Sequence, residues 1–464
     1  MIATTHKISH KIYFHEIIFG RLIGERAASR FGWSSRNARR DIRRQASVRG
    51  DVRAPFAHGR CPFIPRSKEH ILTTPAALSM GHEALSRRLV LLLAIGTGIG
   101  VANVYYIQPI LSLVQRDFDV PPQLIGWAPT LTQIGYALGI LLLAPLGDML
   151  SRRSLIVCKG LLLVLALVAA ALSPNYAALI LTSAAIGLFS SVGQDFIPVA
   201  AQLAPDAHRG RIVGTVTTGL LTGVLLSRTL GGLVAQQFGW RAIYAVAAAL
   251  ESLVVLAVWR FLPPLPVSAA GRYSQLMASL VKLWRQHAAL RRAVYTQGLL
   301  AMSLGAFWST LALVLAAPPY HQGSGVAGAY GVAGAAGALA APLFGRFADR
   351  AGPLPAIRLG CLLVIGSFVG MWIFSGSLIA LAIGAVLFDL GVMAALVSHQ
   401  TIVNTIDPIA RSRLNGILIT GAMFGVAVGA EAGNVALIYA GWPGICAVGV
   451  IVGGLALLLR LGNR

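Results

Sequence analysis

The chain has 464 residues, 56% of them apolar and only 12% charged, with a mean hydropathy of +0.73. A soluble globular protein carries about a quarter charged residues, so polar surface here is too scarce to cover a soluble protein of this size, and the membrane is the natural solvent. A net charge of +22 would suggest nucleic acid in a soluble chain, but 17 of the 38 Lys and Arg precede residue 89 and the remainder sit mostly in alternate loops, which argues against that partner.

Residues 1–79 differ from everything after them. They are rich in arginine (Arg36, Arg39, Arg40, Arg43, Arg44, Arg49, Arg53), poor in acids, broken by Pro55, Pro62, Pro65 and Pro75, and lack a long apolar run. No signal-peptide apolar region is present. Three readings stay open: a disordered basic arm on an anionic membrane surface, an organelle transit peptide, or a translation start at Met80. With the lead-in to the first apolar run, the extension is taken as residues 1–84.

A membrane span needs about 20 apolar residues at a rise of about 1.5 Å. Twelve such runs follow, at 89–113, 124–146, 155–173, 177–199, 212–236, 241–262, 293–316, 325–347, 356–375, 377–398, 414–438 and 441–461. They divide into six-span segments, 85–262 and 293–464. The connection 263–292 holds Pro263, Pro264 and Pro266, then Lys282, Arg285, Arg291 and Arg292, with Leu276, Leu280 and Leu283 at helical spacing; it is expected to be an amphipathic surface helix. One set of alternate loops, with the C-terminus, holds 18 basic residues from Arg152 to Arg464, and the other holds only Arg116 and Arg241. The positive-inside rule then places both termini in the cytoplasm. The four cysteines (Cys61, Cys158, Cys361, Cys446) are scattered and suggest neither a disulfide framework nor a metal site.

The two segments repeat each other. The charged turn Ala144-Pro145-Leu146-Gly147-Asp148-Met149-Leu150-Ser151-Arg152-Arg153 has a counterpart in Gly345-Arg346-Phe347-Ala348-Asp349-Arg350-Ala351-Gly352, with Asp148 and Asp349 201 residues apart. At an offset of 202, Arg209-Gly210-Arg211 matches Arg411-Ser412-Arg413, Gly219 and Gly223 match Gly421 and Gly425, and Gly239-Trp240 matches Gly441-Trp442. Agreement of several turns and helix glycines on one register indicates two tandem halves of about 200 residues.

The turn after the second span, Ala-x-x-x-Asp at 144–148, and its repeat after the eighth, Gly-x-x-x-Asp at 345–349, resemble the Gly-x-x-x-Asp turn of the major facilitator superfamily of secondary transporters. The resemblance covers residues 85–464, with Ala144 and Ser151 standing where that family has glycine. The resemblance implies an all-α membrane protein of two homologous six-helix bundles around a central cavity. Span five, with Gly214, Gly223, Ser227-Arg228 and Gly231-Gly232, is similar to the glycine-rich fifth helix of drug/proton antiporters, where small residues permit close helix approach; an arginine stands at 228, where that group has proline. The arginine usual in the middle of span four is missing near Ser183.

In the resembling family the turn aspartates form a conformational latch at a helix N-terminus of the opposite half. This assigns Asp148, Arg152, Arg153, Asp349 and Arg350 to the latch, with Asp195 expected to pair with Arg152. Pro353 and Leu354 replace the second turn's basic pair. Polar groups inside spans normally face the bundle interior, which makes Asn103, Tyr105, Tyr106 and Gln108 of span one, and Trp308 of span seven, cavity candidates. Arg228 stands 16 residues into its span, either binding an anionic substrate or paired with Glu251 or Glu431. Asp389, 12 residues into span ten, lies close to mid-bilayer, where the cost of desolvating a carboxylate suits proton binding. His399 is a further candidate near the end of that span.

The expected function is secondary transport of a small molecule by alternating access across the plasma (bacterial inner) membrane, as proton-coupled efflux or, alternatively, uptake of a small anionic metabolite. A single chain is expected to suffice. No cofactor or metal is called for: no phosphate-binding Gly-x-x-x-x-Gly-Lys-(Ser/Thr) loop and no nucleophile elbow is present. A membrane-embedded enzyme would need clustered acids or histidines, and a receptor would not require two repeated halves.

Overall fold

The computed structural model describes residues 86–265, 272–339, 350–407 and 410–462. These residues are helical, and the helices follow the apolar runs. Spans one to seven are Arg87–Asp117, Pro122–Asp148, Arg152–Ala171, Tyr176–Leu203, Arg209–Phe238, Trp240–Phe261 and Ala288–Ala316. Span eight is described over Ser324–Leu339, span nine is Pro353–Ile373 and span ten is Leu378–Ile406. Arg411–Leu461 contains spans eleven and twelve, separated at Gly441. The architecture is two six-helix bundles, each with its own apolar core, one built around Leu163, Phe196 and Tyr244 and the other around Phe307, Phe368 and Phe388.

Local sequence explains where the helices start and stop. Ser86, Asn175 and Ser377 cap spans one, four and ten by accepting backbone N–H bonds at 3.2, 2.9 and 3.2 Å, which satisfies donors that a helix start leaves orphaned. Gly239 and Gly441, with φ of +83° and +60°, turn the chain between spans five and six and between spans eleven and twelve; only glycine adopts that backbone cheaply.

The repeated glycines set how the spans cross. A Cβ on Gly223 would stand 2.2 Å from the Gly98 carbonyl oxygen, and one on Gly425 would stand 2.2 Å from that of Gly298. Spans one and five, and spans seven and eleven, therefore meet backbone to backbone at equivalent places. Gly231 abuts Pro109 of span one, and Gly232 lies against Ser324 and Gly328 of span eight. Gly214 departs from expectation. Nothing lies within 4 Å of its Cβ position, so it packs against no neighbouring helix.

The linker helix is Tyr273–Gln286. Leu280 and Leu283 are buried against Leu290, Val403 and Leu414 of the second bundle, while Lys282 and Arg285 are exposed. Tyr273 donates to the Leu142 carbonyl of span two at 2.9 Å, and Arg413 donates to Ser279 at 3.0 Å. The end of the bundle that carries this helix is called the linker end below, and the opposite end the far end.

At the far end the halves are joined. Asn434 of span eleven donates to the Pro122 carbonyl at 3.2 Å. Thr229 donates to the Gly328 carbonyl at 3.0 Å, and Ser324 to the Gly232 carbonyl at 3.2 Å. Toward the linker end, Gly214 of span five and Gly416 of span eleven both face open space.

Two basic residues assigned above to loops are not loop residues. Lys159 and Arg460 are each 3% exposed. Lys159 is held within span three by an acid from span four, and Arg460 donates to Thr296 inside the second bundle at 3.1 Å. Removing them leaves 16 basic residues against two, so the charge asymmetry persists.

Candidate functional site

Span one is not a continuous helix. It runs over Arg87–Ala102, loosens at residues 103–106, and resumes over Ile107–Asp117. Asn103 stabilises the break by donating back to the Ile99 and Gly100 carbonyls at 2.9 and 3.3 Å. Tyr105 and Gln108 flank the resumption, and both point at span five. Arg228 there donates through Nε to Gln108 Oε1 at 2.9 Å. Its guanidinium carbon lies 4.9 Å from the Tyr105 ring centroid and 4.2 Å from that of Trp308. A cation shielded between aromatic faces gains roughly 2 kcal/mol per contact when desolvated.

Trp308 then links the two halves chemically. Its ring faces Arg228 of the first half, and its indole N–H donates to Asp389 Oδ1 of the second half at 3.2 Å. Phe307 and Phe388 pack around it, with the Phe307 ring edge-on at 5.1 Å. Arg228 and Asp389 are 6% and 7% exposed. They sense each other electrostatically but stand outside ion-pair contact, one over the face and the other at the N–H edge of the same indole. Both border a cavity of about 100 Å³, lined further by Leu225, Leu304, Met393, Met423 and Val426.

Five expected pathway residues thus converge: Tyr105, Gln108, Arg228, Trp308 and Asp389. The other five do not line this cavity. Asn103 serves the break in span one. Tyr106 is buried in the first bundle's core. Glu251 faces span three, where a Cβ on Gly160 would meet its Oε1 at 3.4 Å. His399 is fully buried in the second bundle, its Nδ1 2.9 Å from Gln297 Oε1. Glu431 lies near Tyr176 toward the far end. The expected alternative pairing of Arg228 with Glu251 or Glu431 is therefore replaced by Gln108, Tyr105 and Trp308.

The first turn is an ion pair within itself. Asp148 Oδ1 accepts from Arg152 at 2.7 Å across the four-residue step of the turn between spans two and three, so both residues belong to the same half. Arg153 donates to the Trp259 carbonyl of span six. Asp195 does not pair with Arg152. It accepts from Lys159 at 2.5 Å, with both side chains almost wholly buried. Asp349 lies outside the described residues, and Arg350 is exposed.

The sequence reading passed over Lys159, Gly334 and the apolar lining. Gly334 leaves room for the acid, because a Cβ there would stand 2.8 Å from Asp389 Oδ2. Small residues facing a charge are a detectable signal. Met393, Met423 and Leu225 carry none, since an apolar side chain suits lipid, core and cavity alike.

Residues 93–407 match the sequence model of the Major Facilitator Superfamily. The chain belongs to this superfamily. It is a multi-pass membrane transporter and not an enzyme. Over 378 residues it is 39% identical to "Uncharacterized transporter YgaY" of Escherichia coli O157:H7, which covers 82% of this chain and 96% of that one. It is 24% identical over 360 residues, 75% of this chain and 88% of the other, to "Probable sugar efflux transporter" of Helicobacter pylori (strain G27). A bacterial homologue of the human lysosomal transporter Spinster, solved in an inward-facing and occupied conformation, superposes with a TM-score of 0.66 at 15% identity, covering 81% of this chain and 96% of that one.

Proposed function

We propose that this superfamily member exports a small molecule from the bacterial cytoplasm in exchange for protons, by alternating access around the Arg228–Trp308–Asp389 cavity. The observation that carries the reading is the contact chain across Trp308, which joins a fixed cation of one half to a carboxylate of the other. Rocking of the halves must remake that chain, so occupancy of the site and the side it faces are coupled.

Asp389 is the proton site in this scheme. Its ionised form pays a desolvation cost that a proton removes. The groups facing it are Arg228, Tyr105 and the Trp308 N–H. Arg228 stays charged at any working pH and supplies a constant field against which Asp389 takes and releases its proton. Efflux is supported by the printed name of the Helicobacter pylori relative. The excess of basic residues at the linker end supports a cytoplasmic position for that end and for both termini. The hydrogen bonds that join the halves at the far end support a cavity whose access is from the cytoplasm.

The test is flux in proteoliposomes holding only this protein. Substrate accumulation inside right-side-out vesicles should fall, and export should rise, when the outside is made acidic. An ionophore that collapses the gradient should abolish the drive. Flux unchanged by the gradient would reduce the protein to a facilitator.

A further inference from the structure

We propose that the substrate is a small zwitterion, with a carboxylate for Arg228 and an ammonium for Asp389 on one compact apolar body. This rests on the transport reading above and adds the chemical class of what is carried. Among the described residues, Gln108 is the hydrogen-bond partner of Arg228 and Trp308 that of Asp389. Arg228 spends Nε on Gln108 and sets its guanidinium carbon over the Tyr105 and Trp308 rings, and among the described residues no hydrogen bond takes its two terminal nitrogens, which remain for a ligand. Asp389 spends Oδ1 on Trp308, and its Oδ2 reaches toward Gly334, where no side chain blocks it.

Two buried, opposite charges held by one indole and not touching form an incomplete site. Had they been built to satisfy each other, direct contact would offset part of their desolvation cost. They make no such contact, and each engages Trp308 instead. A ligand with one charge leaves the other protein charge uncompensated, and a buried unpaired charge is costly. A ligand whose acid and amine are a few bonds apart meets both at once, each hydrogen bond spanning part of the gap. The remaining lining is apolar and pliable, with Met393 and Met423 beside Leu225 and Val426; methionine adapts to varied shapes. A cavity of about 100 Å³ limits the body to a few carbon atoms beyond the dipolar head unless the halves part further.

The test uses purified full-length protein and matched triads of probes: L-alanine, L-leucine and L-tryptophan, each beside its N-acetyl form, which keeps only the negative charge, and its amide, which keeps only the positive one. Binding is read by calorimetry. At least one zwitterion should bind, and its two singly charged partners should bind about 30-fold more weakly or worse. In Arg228→Gln the amide should equal its parent, and in Asp389→Asn the N-acetyl form should. The ranking in the wild-type protein decides the matter even where a variant does not fold. Equal binding of a singly charged partner, or binding of none of the three zwitterions, overturns the proposal. Counterflow exchange of radiolabelled probes separates the two readings. Exchange without preference for the zwitterion keeps transport and removes the ligand class, whereas selective binding without exchange removes the transport reading.

Discussion

Spans one and five cross at Gly98 and Gly223, and spans seven and eleven cross at Gly298 and Gly425, with the same 2.2 Å from the would-be Cβ to the partner carbonyl. Gly239 and Gly441 end the fifth and eleventh spans with the same left-handed turn. On this shared frame the side chains diverge. At the offset of 202 that matches these glycines, Arg228 falls on Ala430; at the offset of 200 that matches Gly98 to Gly298, Gln108 falls on Trp308. The first half thus supplies a guanidinium held by an amide, and the second supplies the indole and carboxylate that receive it. Backbone approach is fixed by sterics and tolerates no variation, whereas the inward-facing positions beside it are free to differ. The chemistry lies in that difference.

The largest expected effect comes from a contact that one half has and the frame does not require. Lys159→Met strands Asp195 in the first bundle and should destabilise the protein by about 3–5 kcal/mol, seen as loss of monodisperse protein on heating in detergent. Replacing both residues by apolar ones should restore most of it. Retention of wild-type stability by the single variant would show that the pair carries no weight in the first half.

The shared frame predicts paired costs. Gly223→Val and Gly425→Val each drive a side chain into a facing carbonyl and should cost at least about 1–3 kcal/mol, by similar amounts in the same melting assay. A large inequality would mean that the two crossings are not equivalent. Gly214→Ala, at a position with nothing within 4 Å, should be neutral or stabilising by up to about 1 kcal/mol. Trp308→Phe keeps the ring but removes the N–H that reaches Asp389, at a cost of about 1–3 kcal/mol in the same melting assay, while abolishing the link between the halves on which the proposed coupling rests.

What was legible in the sequence follows the same division. Glycines that permit helix contact are forced, so Gly223, Gly232 and Gly441 announced the crossings and the turn; Gly214 looked identical but sits beyond the contact. Charges inside an apolar span are rare enough that Arg228 and Asp389 stood out. Glu251 stood out equally, yet helix rotation aims it at Gly160, and rotation is set by packing that one span cannot reveal. Lys159 was hidden because it sits close to the basic turn at Arg152, and its partner Asp195 lies 36 residues away on another span. The second turn's aspartate, Asp349, lies outside the described residues.

The most direct test of the account is Asp389→Asn in proteoliposomes, with any compound that the wild-type protein exchanges. Proton-driven accumulation and gradient-free counterflow are measured side by side at matched protein levels. The account predicts that gradient-driven transport disappears, because the amide cannot carry a proton across, while gradient-free counterflow persists at substrate concentrations raised to offset the lost contact with Asp389. Undiminished pH-dependent accumulation in the variant would contradict it and remove Asp389 from the coupling mechanism.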